Sequence, residues 1–168
     1  TIVETRRVQL AQALARTYRF FHYQLEFIEV FKERDGFDVI VGNPPWVTIE
    51  FDGPGVISEA HPEVVIRDTS APEVRRRSVG ILANNPRLAD IYVTEELWAD
   101  CTQVFLGSVQ NFPLLQGHRT NLYKTVLECA FRQTNPDGFI GLIHPESIYD
   151  DPSGQVLRKE VYRRLRYH

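Results

Sequence analysis

A chain of 168 residues, 43% apolar and 24% charged, has enough apolar side chains for one core-bearing domain and is far from a disordered or fibrous composition. The formal net charge of -3 offers no basic field to gather nucleic acid, so DNA affinity would have to come from local patches or from other parts of the protein. No run approaches the roughly 18 apolar residues of a membrane span and the N-terminus lacks a leader's apolar core, which predicts a cytoplasmic protein without membrane partners.

From about Thr5 to Tyr18, Val8, Ala11, Leu14, Ala15 and Tyr18 recur at three- and four-residue steps, predicting an amphipathic packing helix. An aromatic run, Phe20 to Phe31, follows; its second half reads as a short helix ending near Asp35-Gly36. His22 and Glu26 could form a polar pair near a site, but the favoured reading puts the apolar residues in the core and Glu26 and Glu29 in water. Phe37-Asp38-Val39-Ile40-Val41 then reads as a buried parallel strand stopping at Gly42, where the chain can turn tightly and approach a ligand. Asn43-Pro44-Pro45-Trp46 follows at the strand's carboxyl end, where open α/β sheets bind ligands.

Beyond Val47 the pattern loosens. Asp52-Gly53-Pro54-Gly55 marks a loop, and Gly55 to Arg77 shows no sustained period, as expected of an insertion spanning about residues 48–115. Arg75-Arg76-Arg77 could touch phosphates, although a solvated face is favoured. Asn84-Asn85-Pro86 reads as a helix start, and from Ala89 to Leu106 the residues Ile91, Leu97, Trp98, Cys101, Val104 and Phe105 suit a helix with a buried face, making Trp98 core. Cys101 and Cys129 have no companions, which argues against a zinc site and a disulfide framework and predicts buried apolar filler. Thr120 is placed to cap a helix carrying Leu122, Tyr123, Val126, Leu127, Ala130 and Phe131, which Asn135-Pro136-Asp137-Gly138 ends. Phe139 to Ile143 reads as a second buried strand, with His144-Pro145-Glu146-Ser147 where further ligand-facing groups are expected. A last helix from about Ser153 to Arg166 should turn Val156, Leu157, Val161 and Leu165 inward and Arg158, Lys159, Arg163, Arg164 and Arg166 outward; this basic face is solvated or touches a phosphate backbone. The order is α/β, yet two strands are fewer than the roughly four to six of a self-sufficient sheet, so further strands are expected elsewhere. The lack of any methionine, even at the start, is that of a piece of a longer polypeptide.

Methylating an exocyclic amine requires overcoming delocalisation of the nitrogen lone pair into the ring. Acceptors around the NH2 group do this: hydrogen bonds to the Asn43 side-chain oxygen and the Pro44 carbonyl would draw the nitrogen toward tetrahedral geometry, with the prolines fixing that carbonyl. Trp46 could stack on a base rotated out of the duplex. A purely structural Pro-rich turn is the plainer alternative.

Strand-Gly-Asn-Pro-Pro-aromatic resembles the catalytic motif IV of amino-methyltransferases. His22 to Phe31, Gln116-Gly117 with Asn121-Leu122-Tyr123, and Gly138 to Ser147 are similar to the pre-strand segment, motif V and motif VI of N6-adenine-specific DNA methyltransferases of the γ type, found in fused restriction-modification and phage-defence enzymes. The resemblance implies part of a Rossmann-like class I methyltransferase sheet with flanking helices and an inserted helical segment. It also implies transfer from S-adenosyl-L-methionine to N6 of a flipped adenine in double-stranded DNA. Asn43, Pro44 and Trp46 would position and stack the adenine, Pro45 would fix the turn, and Asn121, Leu122 and Tyr123 would line the donor pocket. The glycine-rich donor motif I is not found upstream of Phe37, and a target-recognition domain would follow His168. Residues 1–168 are therefore expected to be an incomplete catalytic domain, partnered by the remainder of the polypeptide or by defence-complex subunits. A protein glutamine N5-methyltransferase and a non-catalytic methylase-like DNA-binding scaffold are the alternatives.

Overall fold

The computed structural model describes residues 5–66, 71–117 and 121–165, and they form a mixed α/β arrangement of many helices and one two-stranded sheet. Two compact units divide it: the described residues of Thr1–Val41 with Ala130–Gly141, and those of Gly42–Cys129 with Leu142–His168.

The first unit opens with α1 (Arg6–Tyr18), built of good helix formers and stopped at Arg19, whose left-handed backbone (φ 47°) returns its N–H to the Ala15 carbonyl. The predicted helix is present but is not packed: none of its residues is buried, and Leu10, Leu14 and Tyr18 are exposed. α2 (Tyr23–Glu26) and α3 (Ile28–Arg34) follow, with Glu26 and Glu29 in solvent as the plainer reading expects; the core it expects of the apolar residues is corrected, because Phe20, Phe21, Leu25, Phe27 and Ile28 are exposed as well. Their aromatic side chains surround Phe37: Phe27 and Phe31 meet its ring edge-on at 5.3 and 5.4 Å, Tyr23 at 6.2 Å. The corner at Asp35 (φ 58°) and Gly36 (φ 137°) then turns the chain into β1 (Phe37–Gly42). A Cβ on Gly36 would lie 2.5 Å from the Gln133 carbonyl, so only glycine allows this approach.

β1 pairs in parallel with β2 (Thr134–Leu142). The expectation of two buried strands is corrected, because Val39 and Val41 in β1 are 59% and 75% exposed, while Phe139 in β2 and Ile143 just beyond it are exposed too: a strand is buried on both faces only where layers cover both, and among the described residues this sheet has two strands rather than a doubly wound set. Asn135 to Gly138 lies inside β2 and not in a helix-ending turn. Asn135 Oδ1 accepts from the Asp137 N–H, its Nδ2 donates to Asp38, and a Cβ on Gly138 would sit 2.8 Å from the Phe37 carbonyl. Pro136 is tolerated because β2 has a strand partner on one side only.

In the second unit the stretch read as an aperiodic loop is helical: α4 (Gly53–Ala60), α5 (Glu63–Ile66), α6 (Ala71–Asn84) and α7 (Pro86–Leu106). The shorter of these helices leave little periodicity to read, but their capping is plain. Asp52 accepts from Gly55 N–H at 3.0 Å and Asn85 from Leu88 N–H at 3.1 Å, each followed by a proline in the first turn. Ile49, Ile57, Val64, Leu88, Ala99 and Leu106 are buried here. Trp98 is not core: α7 turns Leu88, Ala99 and Leu106 inward and leaves Leu97, Trp98, Cys101, Val104 and Phe105 exposed. α7 has apolar residues on two opposite faces, so composition did not identify the buried one. Cys101 is thus exposed and Cys129 half-buried, against the expectation of buried filler.

A second cluster, Phe112, Leu115, Tyr123, Leu127, Ile148, Leu157 and Val161, joins the 3-10 turn Pro113–Leu115 to α8 (Leu122–Gln133) and α9 (Gln155–Arg164). Glu128, almost fully buried, accepts from the Leu114 N–H at 3.2 Å. Val156, expected inward, is 52% exposed, with Leu157 taking the core position. Thr120 and Arg166 lie outside the described residues. Among the described residues no helix is long and apolar enough to cross a membrane.

Leu157→Ala should lower unfolding free energy by about 2–5 kcal/mol, whereas Leu97→Ala should change it by less than about 0.5 kcal/mol in urea titrations. A comparable loss at Leu97 would show that the outer stripe of α7 is covered in solution.

Candidate active site

The turn after β1 is held from the end of β2. Ile143 N–H donates to the Gly42 carbonyl at 3.0 Å, and Trp46 Nε1–H donates to the Ile143 carbonyl at 3.2 Å. Both main-chain polar groups of Ile143 thus engage the turn. Pro44 is buried, while Asn43, Pro45 and Trp46 are exposed. The indole is tethered at its nitrogen and remains 53% exposed, leaving ring surface for a flat ligand. Among the described residues nothing hydrogen bonds to the Asn43 amide or to the Pro44 carbonyl.

The segment after Trp46 runs onto the start of α8. Leu122 N–H donates to the Val47 carbonyl at 2.9 Å, Thr48 and Asn121 form an isolated antiparallel bridge, and Asn121 Nδ2 donates to Thr48 Oγ1 at 3.2 Å. Asn121 Oδ1 accepts from the Tyr123 N–H at 3.3 Å. Tyr123 is buried, its hydroxyl 3.4 Å from Ser147 Oγ and its ring stacked on His144 (centroids 6.1 Å apart, planes at 10°). The structure therefore brings together the three segments singled out in the sequence: Asn43 to Trp46, Asn121 to Tyr123, and His144 to Ser147.

Sequence reasoning missed the fastening beneath them. Lys124, 7% exposed, pairs through Nζ with Asp151 Oδ2 at 2.5 Å; Asp151 Oδ1 accepts from Ser153 N–H and its carbonyl from Arg158 Nη1 at 2.6 Å. The pair spans 27 positions and no local pattern announces it; the one signal is a lysine among the inward-facing residues of α8.

Asn121, Leu122 and Tyr123 were expected to line a donor pocket. Both ends of the Asn121 amide and the Tyr123 hydroxyl have partners within the chain, and Leu122 is half-buried. With those groups engaged inside the chain, the three residues do not present a polar cradle for S-adenosyl-L-methionine.

The arginine-rich surfaces are largely self-paired. Arg76 and Arg77 hold Glu73, and their hydrogen bonds keep its carboxyl below the usual range; Arg75 is exposed. On α9, burial raises the Glu160 pKa, but hydrogen bonds from Arg163 and Arg164, both at 2.7 Å, outweigh it and hold the carboxyl below its ordinary value. In the first unit, a 400 Å³ cleft at the start of the strands is lined by Arg34, Asp38 and Asn135 among others, with Arg34 and Asp38 paired at 2.6 Å.

The family model for the Eco57I restriction-modification methylase matches residues 2–60, a stretch that includes β1 and the Asn43 to Trp46 turn. No curated protein and no solved structure matches the chain. The family match supports a restriction-modification methyltransferase and a DNA methyltransferase role.

Lys124→Met should cost about 3 kcal/mol by stranding Asp151, and Lys124→Met with Asp151→Leu should recover much of it in denaturation experiments; a full loss in the double variant would mean that the loop needs the charges themselves. Because the Glu160 pKa is lowered in the fold, its contribution is present above the ordinary carboxylate value of 4.5 and lost as pH falls through the folded value. Glu160→Gln should flatten that acid limb of the stability profile, and an unchanged limb would mean that the two arginines do not hold the carboxylate in solution.

Proposed function

We propose that this chain is part of the catalytic domain of a DNA methyltransferase that transfers a methyl group from S-adenosyl-L-methionine to adenine N6, in restriction-modification or phage defence. The observation that carries the reading is the clamped turn: an unengaged Asn43 amide and Pro44 carbonyl beside an exposed indole, with the family match spanning the same residues.

In this reading, an adenine rotated out of the duplex lies on Trp46, where base-aromatic stacking contributes about 1–3 kcal/mol. The Asn43 side-chain oxygen and the Pro44 carbonyl accept from its two N–H groups. Hydrogen bonds to both acceptors favour the nitrogen as it turns tetrahedral and frees its lone pair. Pro45 fixes the peptide, so no acceptor reorients during reaction. S-adenosyl-L-methionine supplies a methyl group made electrophilic by its sulfonium, with Asn121, Leu122 and Tyr123 forming a wall beside it. With a formal charge of -3 and paired arginines on α6 and α9, most of the hold on DNA comes from elsewhere: the remainder of the same polypeptide or subunits of a defence complex.

The test uses the full-length protein, duplex DNA and radiolabelled S-adenosyl-L-methionine, with the DNA digested to nucleosides. Label should appear in N6-methyladenine, and Asn43→Ala should reduce it by at least about 10²-fold while melting like the wild type. Label in a protein glutamine, or none in any acceptor, would overturn the reading.

A further inference from the structure

Once an amine has accepted a methyl group it must shed a proton, and a histidine, His144, follows directly on the residue that clamps the candidate site. We propose that His144 is the base, taking the proton from the target amine at its Nε2; this rests on the methyltransferase reading above.

The bond from Ile143 N–H to the Gly42 carbonyl joins the ends of the two strands, so the next residues along each chain are Asn43 and His144. Trp46 donates to the carbonyl of the same residue, Ile143. His144 therefore starts from the turn that would receive the amine, with no flexible linker between.

The ring is equally constrained. It stacks on Tyr123 and meets Tyr149 with centroids 5.8 Å apart and planes at 49°. Its Nδ1 lies 3.0 Å from the Pro145 carbonyl. A carbonyl can only accept, so Nδ1 carries the hydrogen and the neutral imidazole has its lone pair on Nε2. Among the described residues nothing is bonded to that nitrogen. A half-buried histidine with a fixed tautomer and an unengaged acceptor is an arrangement suited to a general base.

The proton balance is simple. The amine nitrogen forms a bond to the methyl carbon as the carbon–sulfur bond breaks and its electron pair passes to sulfur. The methylated nitrogen then gives one proton to His144 Nε2, and the imidazolium later releases it to water. The titratable groups against the ring are the Tyr123 and Tyr149 hydroxyls; Glu146 stands exposed on the same loop, and the nearby charges of Lys124 and Asp151 face each other.

His144→Asn tests this in the full-length protein, because its amide can still donate to Pro145 while lacking the ε nitrogen. Its single-turnover methylation rate should fall about 10²-fold with DNA affinity unchanged. Free imidazole should restore part of the rate to His144→Ala, a response that a purely structural role would not give. Independently of turnover, nitrogen NMR of the wild type should find His144 with hydrogen on Nδ1. Adenine methylation that is unaltered in rate by His144→Asn, or hydrogen on Nε2, would overturn the proposal and leave the methyltransferase reading intact. No methylation by the wild type would remove both.

Discussion

A single residue, Ile143, carries the organisation of the candidate site. The N–H of Ile143 holds the end of β1 at Gly42, and its carbonyl holds the indole of Trp46. Each such hydrogen bond adds only about 0.5–1.5 kcal/mol net, so the value of the pair is positional. Two prolines between the anchors remove rotational freedom from the peptide they bracket. The result is a turn whose backbone is fixed before any ligand arrives, which is the condition under which polar groups act on a developing charge without reorganising.

The second requirement is that the loop after β2 stay against that turn, and the first turn of α8 meets it. Tyr123, Lys124 and Thr125 are three consecutive buried residues, more than one face of a helix normally covers. Tyr123 meets His144 and Ser147 while Lys124 meets Asp151, so two neighbouring side chains hold two points of one loop. Asn121 fixes the helix entry to Thr48 from the other direction. The three chemical segments are separated in sequence yet share one hydrogen-bonded frame.

The sequence was informative where chemistry and local geometry coincide. Asn43 to Trp46, the Asp35-Gly36 corner, the Asn85-Pro86 helix start and α8 could all be read because each depends on residues adjacent in the chain. Burial was much less legible. Val39, Val41 and Trp98 are apolar and periodic enough to be core, but whether an apolar face is covered depends on what lies opposite, which no local pattern records. Asn135 to Gly138 failed for a related reason: turn-forming residues are used inside β2, where the Asn135 amide bonds and the lack of a Cβ at Gly138 serve a close pairing. The Lys124 and Asp151 pair joins distant positions and was invisible for that reason.

The two-faced character of α7 separates what its residues control. Its inner side, at Leu88, Ala99 and Leu106, sets whether the helical layer holds together. The outer side, at Leu97, Trp98, Val104 and Phe105, sets how the folded molecule behaves in a crowd. Contiguous apolar surface of that kind draws molecules together, more strongly on warming and in sulfate-rich buffers, and relaxes on cooling. Handling properties such as clustering at high concentration are therefore governed by a surface that contributes little to keeping the chain folded.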